Sequence, residues 1–156
     1  MKNYIKLGLI VVLGIIVFLL LNVNNAIPGS PLFAVKRLEE KVFLKLKSSP
    51  EDKISYQSFL LETRLKELAE LANQKKYSYI LEASLRYSAT AGNLTELIVQ
   101  NSQEDQAAQT IRQFEQHKTK LQNIYISYPM EDTEGKYLLD DKNYLDLYIE
   151  KLKQLS

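Results

Sequence analysis

Residues 49–72 read SPEDKISYQSFLLETRLKELAELA, and this stretch decides the class of the fold. Ser49 is placed to cap a helix, Pro50 takes a first helical position where a missing N–H costs nothing, and Glu51 and Asp52 complement the positive end of the helix dipole. The apolar positions Ile54, Leu61, Leu65, Leu68 and Ala72 then advance in steps of four and three with Ser58 in the gap. Phe59, Leu60 and Leu71 widen the stripe beyond a two-stranded seam, as a helix inside a bundle needs. Glu62 and Lys66 are expected to pair one turn apart on the outer face.

The same grammar repeats on both sides. Upstream, Ser30 and Pro31 open a helix expected to run to about Lys47, with Val35, Leu38, Val42 and Leu46 on its core stripe. Downstream, a helix ending near Val99 places Ile80, Tyr87, Ala91, Leu94 and Ile98 on one face with the small residues Ser84, Ser88 and Gly92. Gly92 costs about 1 kcal/mol against alanine in a helix interior, so close approach of a neighbouring helix is its expected use, with a kink as the alternative. Ser102 and Asp105 form a capping box for a fourth long helix, whose stripe Ala107, Ile111, Phe114, Leu121, Tyr125 and Tyr128 is interrupted by Lys118 and ends at Pro129. After an acidic loop, a last helix starts between Thr133 and Asp141 and aligns Leu145, Tyr148, Ile149, Leu152 and Leu155.

The amino end differs from all of this. Lys2 and Lys6 precede an apolar run from Leu7 to Leu21 that fades into Asn22, Asn24 and Asn25. Fifteen helical residues reach about 22 Å, and including Ile5 and Val23 brings the run to roughly 28 Å, close to a ~30 Å hydrocarbon core. The anchor residues are Ile5, Leu7, Leu9, Ile10, Val11, Val12, Leu13, Ile15, Ile16, Val17, Phe18, Leu19, Leu20 and Leu21. A cleaved signal peptide is the competing reading, with Ala26 just before the cut, but Asn24 is a poor partner for that site and Pro28 follows closely. No charge occurs between Leu7 and Val35, so the amino end is expected in the cytoplasm and the body outside. The expected divisions are a tail at 1–4, an anchor at 5–23, a Pro/Gly spacer at 24–31 and a bundle at 32–156.

Charge and side-chain inventory exclude several classes. Without Lys2 and Lys6 the body keeps 18 of the 20 basic residues against 19 acidic ones, which is not the basic excess of a nucleic-acid binder. Cysteine is absent, so neither a disulfide framework nor thiolate chemistry is available. His117 is the one histidine, beside Glu115 and Lys118, and is expected at the solvent or in a local hydrogen bond. Position 114 is Phe, so the Glu-x-x-His element of a di-iron bundle is missing. The acidic pairs Asp140/Asp141 and Glu131/Asp132 are expected at a helix start and in a loop. No catalytic residue, metal ligand or cofactor is assigned, and the chain is read as a non-enzyme. Two surfaces remain as candidates: a membrane-proximal basic surface of Lys36, Arg37, Lys41, Lys45 and Lys47, and an aromatic interaction patch of Tyr77, Tyr79, Tyr128 and Tyr137.

Pro28, Gly29, Ser30, Pro31, Leu32 and Phe33, then Lys36, Arg37, Glu40 and Lys41, then Ser49, Pro50, Glu51 and Lys53, and finally Glu62, Arg64, Leu65 and Glu67 resemble an uncharacterised bacterial family. Its members open with Pro-Gly-(Ser/Asp)-x-Leu-Tyr-x-x-Lys-Arg and continue to an Asp/Ser-Pro-Glu turn and an Arg-Leu-x-Glu helix. The similarity covers about residues 28–72, with Phe33 in place of the usual tyrosine and Glu62 with Arg64 in place of the commoner Glu-Arg-Arg. The resemblance implies a membrane-tethered, exported helical domain of unknown function, sometimes encoded near envelope-stress or anti-sigma regulators, and carries over no catalytic residue.

Together these readings give an all-α chain, a single N-terminal transmembrane helix followed by an antiparallel bundle of four to five helices. The expected partners are the membrane, a protein of the cell envelope and a second copy of the chain, without nucleic acid. The alternative is a secreted binding or chaperone-like protein released by cleavage.

Overall fold

The computed structural model describes residues 26–129 and 133–155, together with Gly14, Val17 and Val23. It divides into two compact units, Met1–Phe43 and Leu44–Ser156. Of the anchor residues only Val17 is described, so the expected transmembrane helix lies outside the described residues. Among the described residues no helix is long and apolar enough to cross a membrane.

In the first unit the Pro-Gly-Ser segment is a tight turn. The Ser30 N–H donates to the Ile27 carbonyl at 3.0 Å, and Gly29, with φ 83°, holds the left-handed position after Pro28. Pro at the second and Gly at the third place are what a type II turn demands. Helix α1 (Phe33–Leu46) follows. Lys36 is buried, and its Nζ donates to the Ala26 carbonyl at 3.0 Å, pinning the helix back onto the chain that precedes the turn. The expected spacer is therefore folded over residues 27–30. Ser30 Oγ makes no capping bond.

Helix α1 corrects the sequence reading in a second way. Its buried residues are Phe33 and Lys36, whereas Val35, Leu38 and Val42 are 49%, 64% and 48% exposed, and Leu46 is exposed too. The opposite face is the one that packs, so the expected core stripe faces outward.

The second unit contains α2 (Pro50–Asn73), α3 (Ile80–Gln100), α4 (Glu104–Ile126) and α5 (Lys136–Lys153), with short 3-10 turns at Tyr77–Tyr79 and Thr133–Gly135. The described residues form helices without strands. Ser49 Oγ accepts the Asp52 N–H at 3.0 Å, with Pro50 at the first position, as its sequence requires. The capping box expected at Ser102 does not form. Ser102 has φ 50° in the turn between α3 and α4, and α4 starts two residues later with no side-chain cap.

Side-chain bonds fix helix direction and register. The Gln113 side chain receives the Ser58 hydroxyl at 2.8 Å and donates to the Ser58 carbonyl at 3.1 Å. Glu62 meets His117 one turn further along both helices, so α2 and α4 run parallel. Ser88 opposite Asp141 and Gly92 opposite Tyr148 make α3 and α5 parallel as well. Lys142 with Gln122 and Tyr148 with Phe114 set α4 and α5 antiparallel. Consecutive helices thus alternate in direction, as the short connections require. Small residues let α3 and α5 come close: a Cβ on Gly92 would lie 2.9 Å from the Tyr148 hydroxyl. The core includes Ile54, Leu61, Leu68 and Leu71 from α2, Ile80, Leu94 and Ile98 from α3, Phe114 and Leu121 from α4, and Leu138, Leu145 and Leu152 from α5.

Burial separates two leucines of equal hydrophobicity. Leu61→Ala, at 0% exposure, is expected to cost about 2–5 kcal/mol through lost transfer energy and a residual cavity. Leu38→Ala, at 64% exposure, should stay within about 0.5 kcal/mol. Urea unfolding of the two variants beside the parent chain measures both.

Candidate functional site

The most organised group of polar side chains lies inside the bundle. Helix α4 turns Ala107, Thr110, Phe114, His117 and Leu121 inward at steps of three and four, so His117 occupies a core position and is 0% exposed. Its Nε2 is 2.8 Å from Glu62 Oε2 on α2, and its Nδ1 is 3.0 Å from the Tyr87 hydroxyl on α3. Lys120 Nζ reaches the other Glu62 oxygen at 3.2 Å. His117 is thus neither at the solvent nor locally bonded, and Glu62 turns inward to it instead of pairing with Lys66 outside.

The ionisation states follow from surroundings. Burial pushes the Glu62 carboxyl up, but hydrogen bonds from His117 and Lys120 outweigh it and hold Glu62 below its ordinary value. Glu62 is then an acceptor only. Burial holds His117 below the ordinary imidazole value, against the opposing pull of the Glu62 bond. A neutral His117 between these partners carries its proton on Nε2, donates it to Glu62, and accepts the Tyr87 hydroxyl proton at Nδ1. Burial, first, and the charges of Asp141 and Glu62 keep the Tyr87 hydroxyl protonated. The chain of bonds ends on a fully buried ring. Its other end, Glu62 with Lys120, opens to solvent, their side chains being 32% and 50% exposed, and within the core the bonds satisfy both nitrogens of the buried imidazole.

Two further buried groups belong to the same interior. Asp141 lies within α5, not at its start, and is 1% exposed. It accepts the Ser88 hydroxyl through Oδ1, and Oδ2 is buried without a partner. Burial raises its carboxyl from 3.8 to about 7, against the Ser88 and Ser84 hydroxyls. Glu67 on α2 is 3% exposed and takes Arg64 at 2.9 Å and Arg86 of α3 at 3.3 Å. The Arg-Leu-x-Glu signature is therefore a buried ion pair within one turn, extended to the next helix by Arg86.

The two surfaces expected from sequence are only partly assembled. Lys36 leaves the basic group, because it is buried on the Ala26 carbonyl. Arg37, Lys41 and Lys45 are exposed on α1, and Lys47 stands 5.6 Å over the Tyr56 ring. Tyr128 leaves the aromatic group: it is buried against Tyr77, ring centroids 4.6 Å apart, and covers Gly135. Tyr79 is exposed, and Tyr137 is half-buried with Lys136 Nζ 5.0 Å from its ring. Two surface clefts of ≈ 360 and ≈ 280 Å³ are lined by residues such as Tyr125, Ile126 and Leu139, and Lys53, Asn93 and Glu96, respectively; neither reaches His117. Among the described residues no three His, Asp or Glu side chains are grouped to hold a metal ion.

Asp141 and His117 give opposite pH signatures. The raised Asp141 value favours the native state fully below 3.8, and this contribution is lost as pH rises through about 7. At about 1.4 kcal/mol for each tenfold change in the proton equilibrium, the loss is on the order of 4 kcal/mol. The depressed His117 value works the other way, its contribution being present above 6.5 and lost as pH falls below it. Asp141→Asn should therefore stabilise the bundle above neutrality and leave it nearly unchanged in acid, as measured by urea unfolding across the pH range. Glu67→Gln is expected to cost about 3–5 kcal/mol, because the buried carboxylate shared by the buried Arg64 and the half-buried Arg86 is neutralised.

A family model matches residues 25–128, from just before the Pro-Gly turn to the end of α4. No curated protein and no solved structure matches the chain. The turn at Gly29, the Ser49–Pro50 cap and the Arg64–Glu67 pair all fall inside the matched segment. The chain belongs to the family described as Domain of unknown function (DUF5667).

Proposed function

We propose that this protein is a membrane-tethered helical interaction domain, held by its apolar amino-terminal run with the bundle on the extracytoplasmic side, and serving as a scaffold or sensory component of the cell envelope. The observation that carries the reading is the run Leu7–Leu21, fifteen residues without a charge, preceded by Lys2 and Lys6 and followed by no charge before Lys36. Inside the bundle, His117 spends both ring nitrogens on Glu62 and Tyr87, which supports a structural role for that histidine. The folded turn supports retention of the run over its removal. A cut after Ala26 would take away the carbonyl that the buried Lys36 Nζ bonds.

Fractionation of expressing cells, with the intact mass of the mature chain, tests this. The expected result is a carbonate-resistant membrane protein that keeps its amino-terminal run and whose bundle is digested by protease added outside the cytoplasmic membrane. A soluble chain beginning at Ile27 would instead make the protein a secreted binding domain.

A further inference from the structure

The outward stripe of α1 has the geometry of a lipid contact. Val35, Leu38 and Val42 are 49%, 64% and 48% exposed at helical spacing, and Phe43 beside them is 46% exposed. Other exposed apolar side chains, such as Leu85, Ile126 and Leu147, come from separate helices. Resting on the tether reading above, we infer that α1 lies in the plane of the membrane, its Val35–Leu38–Val42 stripe inserted at the boundary of headgroups and acyl chains.

Three observations select lipid as the occupant. First, the type II turn at residues 27–30 comes six residues after Leu21 in the sequence, and Lys36 is bonded to Ala26, so the start of α1 is held beside a residue only five positions beyond the apolar run. Second, Lys41 and Lys45 are exposed at the edge of the stripe, where their stems follow the apolar surface and their ammonium groups reach lipid phosphates. Of the helix's two acids, both half-buried, Glu40 lies on the far side and Glu39 borders the stripe between Val35 and Phe43. Third, the stripe is too small for a partner copy. Fourteen residues make a helix about 21 Å long, so two such faces about 10 Å wide would bury roughly 400 Å² between them, well below the ~1,200 Å² of a stable interface. A tethered helix needs no such area, because the anchor already supplies a high effective concentration at the surface.

The chain has no cysteine, so single labels are unambiguous. Leu38→Cys, Val42→Cys, Arg37→Cys and Gly14→Cys, each carrying an environment-sensitive fluorophore on the full-length chain, are reconstituted into phosphatidylcholine/phosphatidylglycerol vesicles. Variants that keep the parent's helical content are read against shallow and deep nitroxide lipids and aqueous iodide. The inference expects the labels at 38 and 42 to be blue-shifted, quenched by the shallow nitroxide and shielded from iodide. The label at 37 should stay open to iodide, and the label at 14 should respond to the deep nitroxide. Iodide quenching at 38 and 42 with deep quenching retained at 14 overturns the inference and leaves the tether standing. Loss of lipid quenching at 14 overturns the tether itself. Labels at 38 and 42 shielded from both iodide and lipid nitroxide overturn the inference in favour of a protein surface covering the stripe.

Discussion

The fold of the bundle depends on burying an imidazole without leaving its two nitrogens unsatisfied. His117 is fully enclosed, so each nitrogen must find its partner inside the protein, and the partners come from two other helices. Apolar contacts between helices tolerate small slides, since one methyl group substitutes for another. Hydrogen bonds at 2.8 and 3.0 Å do not: a shift of one residue, about 1.5 Å along an axis, breaks both and strands buried donors and acceptors at about 1–3 kcal/mol each. Glu62 and Tyr87 therefore fix the axial alignment of α2, α3 and α4. Ser88 with Asp141 aligns α5 against α3 in the same way, and Glu67 between Arg64 and Arg86 aligns the far end of α2 with α3.

The sequence was legible where local chemistry and hydropathy agree. The Ser49–Pro50 start, the Leu61–Leu65–Leu68 stripe of α2 and the Tyr87–Ala91–Leu94–Ile98 face of α3 are all in place, because a cap and an apolar period act within one helix. It was illegible where a core position holds a polar residue. His117, Thr110 and Asp141 complete inward-facing rows in α4 and α5, yet a hydropathy reading counts them as gaps and looks to Tyr125 instead, which lies on the exposed side. The steps from Ala107 through Thr110, Phe114 and His117 to Leu121 held the signal. Helix α1 failed for the opposite reason: an apolar stripe states that a face avoids water, not which surface covers it. At Ser102, a serine with an acid three residues on satisfied the capping pattern while the backbone used the left-handed conformation to reverse direction.

The family residues acquire structural roles in this light. Gly29 permits the turn that Pro28 initiates, Ser49 caps α2, and Arg64 and Glu67 pair inside the bundle. Each of these positions acts on the chain's own shape. The matched segment thus covers the turn, α1 and the first three helices of the bundle, α2 to α4. Among the described residues the α1 stripe is the most coherent exposed apolar face.

Because the chain has a single histidine, nitrogen-15 NMR of the imidazole reads the central constraint without ambiguity. The account predicts one resolved neutral tautomer with the proton on Nε2 and Nδ1 as an acceptor, persisting as pH is lowered through the ordinary imidazole value until the bundle itself unfolds. A rapidly exchanging mixture of tautomers that titrates near 6.5 in the folded protein would contradict it.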